Sequence, residues 1–251
     1  SYKPVDVDNV GGSLRVYSQS SPVTVNNVAN NASVRTSYKE ISVRGVGGSL
    51  DIDGSSCPAS VYDIKGNVTI VSSYKDVLAE KIGGQLDIRT HSGSVTVSDV
   101  AKSTSIYSSY KPLVVKQVRG DLKVDGSSCS VMVEGVSGNV NITNSYNLVS
   151  VRQTSGSIIV QGQSSPIEVS AINSLPKDGR VELLTTYKPI LLSLPNAADV
   201  KISAYSEYGK IRSDFPVYLD ESGQKRVRIE LGKGNVFVRL ETSGDITIKR
   251  D

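Results

Sequence analysis

From Val5 to Val169 the chain repeats an apolar, polar, apolar triplet on a nine-residue clock. Counting from Lys3 in steps of nine, the residues two and four places after each marker run Val5 and Val7, Leu14 and Val16, Val23 and Val25, and so on to Ile167 and Val169. Of these 38 positions 37 are Ala, Val, Leu or Ile, and Thr104 is the exception. Each unit therefore reads as a short strand with one buried face. The corners between strands are too short for a helix and repeat without drift. Successive turns must stack, and the pattern predicts an all-β, single-domain parallel β-helix, or β-solenoid.

Two kinds of corner alternate, which raises the period to 18. One carries an aliphatic side chain, as at Val28, Val46, Ile64, Ile82, Val100 and Val118, with Thr154 the exception. The other is polar and carries a third period, of 36. Tyr2, Tyr38, Tyr74, Tyr110 and Tyr146 recur at that spacing, and Ser20, Ser56, Ser92, Ser128 and Ser164 lie half-way between them. Asn31, Asn67 and Asn139 share another 36-residue phase. A two-strand coil of 18 residues fits these facts, and so does a four-strand coil of 36. Glycine pairs at Gly11, Gly47 and Gly83 recur at one corner and read as suppliers of positive φ.

The clock slips after Ser170, where INSLPKDGRVELL inserts five residues. Residues 1–170 are thus the regular repeats. Residues 171–251 keep strand alternation with longer connections such as LDESGQKR, and read as irregular coils and a cap of the same solenoid. A cap is needed because an open sheet edge invites pairing with another molecule.

Composition narrows the function only modestly. The 28 Lys and Arg against 25 Asp and Glu are scattered along the chain, which argues against a nucleic-acid partner. No apolar run has the roughly 20 residues of a membrane span, so no membrane insertion is expected. Because Ser1 already lies inside a repeat, an export leader is expected upstream, with the mature chain in the periplasm, at the cell surface or outside the cell. Cys57 and Cys129 lie 72 residues apart in matching contexts. Stacked coils would hold them beyond the ~7 Å that a disulfide tolerates, and free thiols are expected.

Candidate chemistry is sparse. His91 is the chain's one histidine, too little for a nucleophilic triad or a zinc site. Asp51, Asp53, Asp87, Asp121 and Asp125 share outward columns with Arg15, Arg89 and Lys123, the pattern of a solvated mixed-charge face rather than a glycosidase pair. No catalytic residue, metal or cofactor is expected. What stands out is Tyr38-Lys39, Tyr74-Lys75, Tyr110-Lys111, Tyr146 and Tyr187-Lys188. They form either a recognition stripe for a surface glycan, another protein or a second copy, or a ladder in which each ring covers the corner beneath it.

The run LLSLPNAADVKISAYSEYGKIRSDFP at residues 191–216, followed by GKGNVFVRLETSGDITIKR at residues 232–250, resembles the C-terminal signature of a bacterial adhesin family of unknown function. The repeats GGSLDI, KGNVTI, SGSVTV and SGNVNI match that family's strand style, so the resemblance covers essentially the whole chain. It implies an exported right-handed β-helix of about 18 to 20 residues per coil, which favours the shorter coil. It also implies adhesion, surface structure or scaffolding without enzymatic activity. A carbohydrate-active β-helix and a self-assembling structural protein are the alternatives. The family often has S-x-G where this chain has SYK, and it defines no catalytic residue.

Overall fold

A computed structural model describes residues 3–219 and 225–251. Tyr2 and part of the LDESGQKR connection lie outside the described residues. The fold is a parallel β-solenoid, with 27 strands among the described residues. The chain divides into two compact units, Ser1–Val124 and Asp125–Asp251.

In the first unit the strands alternate between two parallel sheets. Val5–Val10, Val23–Val28, Ile41–Val46, Ala59–Ile64, Val77–Ile82, Val95–Val100 and Leu113–Val118 stack in sequence order in one. Leu14–Tyr17, Ala32–Ser37, Leu50–Ser55, Val68–Ser72, Leu86–Arg89 and Thr104–Ser109 stack in the other. Val5 lies opposite Val23, and Leu86 lies opposite Thr104. Each coil therefore takes 18 residues, and the 36-residue coil is excluded. The longer period instead records two kinds of polar corner on alternate coils.

The clock positions build the core. Val25, Val43, Val61 and Val97 are at most 1 % exposed, and the corner aliphatics Val28, Val46, Ile64, Ile82, Val100 and Val118 at most 2 %. Each such side chain contributes about 1.5–3 kcal/mol, and every coil supplies several. The two exceptions to the pattern are also inside. Thr104 and Thr154 are buried with hydroxyls that find no partner.

The glycine pairs correct one expectation. Gly47 and Gly83 do not take positive φ; Asn27, Gly45, Asp63, Lys81, Asp99 and Gln117, each one residue before the corner aliphatic, do. Glycine is required at the pairs because stacked corners nearly touch. A Cβ on Gly83 would lie 2.6 Å from the Lys65 carbonyl oxygen. Polar ladders satisfy neighbouring corners, with Asn31 Oδ1 accepting the Ser49 N–H at 2.8 Å and Asn67 Oδ1 the Gln85 N–H at 2.9 Å.

The second unit begins in the same manner, and its register records the insertion. Val140 lies opposite Ile158, eighteen residues on, but Ile158 lies opposite Val181 and Ile167 opposite Ile190. Beyond this point sequence order fails. Val236–Thr242 lies between Arg180–Leu184 and Val200–Ser206, parallel to both. Ile246–Arg250 likewise separates Ile190–Leu194 from Ile211–Ser213. Outside them, Arg226–Leu231 runs antiparallel to Val200–Ser206 and to Tyr218–Leu219. An antiparallel turn at the end of a parallel stack interrupts its template for further coils.

Candidate functional site

The tyrosine corners share one local design. Tyr38, Tyr74, Tyr110, Tyr146 and Tyr187 are left-handed, with φ of 67°, 64°, 67°, 69° and 61°. Ser20, Ser56, Ser128 and Ser164 take the same conformation on the intervening coils, and Ser92 does not. This turn lets the chain leave one strand and enter the next sheet, but it is costly for a bulky L residue.

A brace two residues ahead of each tyrosine ties that coil to the one before it. Thr36 Oγ1 donates to the Ser21 carbonyl at 3.4 Å, and Ser72 Oγ to the Cys57 carbonyl at 2.9 Å. In the second unit Asn144 Nδ2 donates to the Cys129 carbonyl and Thr185 Oγ1 to the Ser165 carbonyl, both at 2.8 Å. Ser108, ahead of Tyr110, is fully buried but its hydroxyl is unpartnered. Its counterpart carbonyl would belong to Gly93, in the corner where Ser92 departs from the left-handed turn. Each brace thus joins a tyrosine corner to a small one. The small corners bury Ser21, Cys57, Cys129 and Ser165, whereas the tyrosine corners expose Lys39, Lys75, Lys111, Asn147 and Lys188. Both cysteines are free, and burial pushes the Cys57 thiol above its ordinary pKa.

The rings themselves are mostly in solvent, 61–73 % exposed across the five tyrosines. They cover little of the corners that carry them. In the first unit Tyr38, Tyr74 and Tyr110 recur every second coil, and in the second unit so do Tyr146 and Tyr187. Two strand spacings set a pitch of about 10 Å. His91, on the coil between Tyr74 and Tyr110, meets both edge to face, with centroids 6.0 and 5.7 Å away. The three rings make an exposed aromatic shelf, which the 36-residue pattern alone does not show because His91 stands one residue out of phase. Hydrogen bonds from the side chain and backbone of Ser94 hold the Asp76 carboxyl below its ordinary pKa at the edge of this shelf.

The outward carboxylates behave differently. Asp53 pairs with Arg35 at 2.9 Å and Asp87 with Arg89 at 3.3 Å, all four well exposed. Exposed pairs of this kind contribute little to stability, and in a mixed column they leave no carboxylate dyad facing a cleft.

A family model described as Toastrack DUF4097 matches residues 12–249, and the chain belongs to that family. It is a family of unknown function with a solenoid-like fold; the match carries no assignment as an adhesin. No curated protein and no solved structure matches the chain.

Proposed function

We propose that this Toastrack-family chain is a non-enzymatic binding solenoid whose tyrosine and lysine corners engage an extended glycan, in an adhesive or surface-structural role outside the cytoplasm. The observation that carries the reading is the left-handed tyrosine with an exposed ring. Asparagine, glycine or serine would close the same corner with less strain, and the ring returns little packing in exchange. Backbone strain kept at a repeated exposed position points to use of the side chain.

The pitch supports a polymer over a compact ligand. Rings about 10 Å apart match the length of two pyranose units in an extended chain, and a tyrosine face suits the C–H face of a sugar. Lys39, Lys75, Lys111 and Lys188 stand beside the rings with Glu40 and Asp76 interspersed, so the stripe carries donors without a strong field. The carbohydrate-active alternative draws nothing from the outer carboxylates, which are spent on arginines.

A glycan array and a cell-surface binding assay on the full chain test the proposal, alongside a variant with Tyr38, Tyr74, Tyr110, Tyr146 and Tyr187 all changed to Ser. Saturable binding that the folded variant loses is expected. A folded wild type that binds no glycan refutes it.

A further inference from the structure

The second unit holds a depression that neither the strand pattern nor the tyrosine period discloses. It has a volume of about 440 Å³, and its lining includes Thr143, Gln161, Gln163, Leu184, Gly126 and Gly162. That size falls within the range of about 300–1,000 Å³ typical of small-ligand sites. Its origin is local. Gly126 and Gly162 flank Asn144 in one column of the sheet, and the missing side chains leave the sheet end recessed. Neither glycine can be filled without displacement, since a Cβ at Gly126 would lie 2.8 Å from Asn144 Oδ1 and one at Gly162 2.9 Å from the Ser165 Cβ.

The lining has a consistent chemistry. Asn144 is committed to the fold, because its amide nitrogen donates to the carbonyls of Cys129 and Asn147. Thr143, Gln161 and Gln163 are exposed, and Leu184 supplies an apolar surface. No ionisable side chain takes part. Two depressions on the first unit differ in this respect, one including Asp63 and Lys65 and the other Arg15 and Asp51. Two lining residues, Ser145 and Thr186, immediately precede the exposed rings of Tyr146 and Tyr187.

We propose that this groove is a subsite for a neutral β-linked oligosaccharide, with Gln161, Gln163 and Thr143 hydrogen-bonding sugar hydroxyls and Tyr146 and Tyr187 stacking on pyranose faces. Amides and hydroxyls offer both donors and acceptors, which suits a sugar hydroxyl that is itself both. The uncharged lining selects against uronates, whose carboxylate would lose water without gaining a cation. The inference rests on the glycan reading and adds to it a place, a charge class and the residues that read hydroxyls.

The full chain is titrated calorimetrically with cellotetraose, tetra-N-acetylchitotetraose and tetragalacturonate. Two variants run beside it, Gln161→Ala/Gln163→Ala and Tyr38→Ser/Tyr74→Ser/Tyr110→Ser, each checked for an unchanged urea midpoint. The expected result is saturable binding of a neutral tetramer with Kd at or below about 1 mM, weakened at least tenfold in the glutamine variant and unchanged in the first-unit tyrosine variant. Binding kept by the glutamine variant but lost by the tyrosine variant overturns the groove and leaves the stripe standing. Tetragalacturonate binding as tightly as the neutral tetramers, or no neutral tetramer binding at about millimolar concentration, also overturns it.

Discussion

If the tyrosines serve recognition, removing one should cost the fold almost nothing, and Tyr38 offers the cleanest case because no other ring touches it. Tyr38 is 68 % exposed at φ 67°, so about a third of its surface is covered. A fully buried tyrosine removes about 150–250 Å² from water. A third of that at about 25 cal/mol/Å² is worth about 1.5 kcal/mol, and about 1 kcal/mol once burial in the unfolded chain is discounted. Against this stands the left-handed backbone, which costs a non-glycine residue about 1–3 kcal/mol and asparagine the least of the larger residues. The two contributions oppose each other, and Tyr38→Asn should shift stability by no more than about 1 kcal/mol in either direction. Urea denaturation reads this directly when compared with Ile41→Ala, which truncates a fully buried side chain of the following strand and should cost about 2–5 kcal/mol. If Tyr38→Asn destabilises as much as Ile41→Ala, the ring is a structural member and the functional argument from strain collapses.

Two further outcomes follow from buried and charged groups. Thr104→Val and Thr154→Val keep side-chain volume while deleting hydroxyls that are buried without partners; each should raise stability by about 1–3 kcal/mol, and a loss on either would mean that the hydroxyl is satisfied. The carboxyl of Asp76 is held below its ordinary pKa by the hydrogen bonds from Ser94, so its contribution is present above the unfolded value of about 3.9 and is lost as pH falls through the lower folded value. Urea midpoints measured down to pH 2 should therefore fall more steeply below about pH 4 for the wild type than for Asp76→Asn, and identical slopes would remove Asp76 from the account.

The strands were legible in the sequence because alternation encodes burial directly, and the apolar slots flanking Thr104 and Thr154 are the core columns observed. Coil length was not, because alternating corners impose a 36-residue period on an 18-residue turn. Corner conformation was hidden for a different reason. The left-handed positions are filled by Lys81, Gln117, Gln153 and the tyrosines as well as by Asn and Gly, so residue type does not mark them. Stacking imposes this conformation through neighbouring coils, and no local preference is needed. The C-terminal order was illegible because Val236–Thr242 reaches its place by inserting between strands that precede it in sequence. The groove escaped notice since it is defined by side chains that Gly126 and Gly162 lack.

The braces explain why polar corners alternate, but they do not explain why one kind carries a ring. Thr36 and Ser72 hold the preceding small corners through their hydroxyls, and any residue that tolerates positive φ could follow two places later. Ser56→Tyr separates the two roles. Ser56 already has φ 58°, between the coils of Tyr38 and Tyr74, so a ring there adds contact surface at a strain the fold accepts in its neighbours. The change should leave stability within about 1 kcal/mol while replacing a ring pitch of about 10 Å with one of about 5 Å. If an extended glycan reads the pitch, its affinity in the array falls despite the extra aromatic surface. An affinity that rises with the added ring would show that area alone matters, and the match between two coils and two sugars would have to be given up.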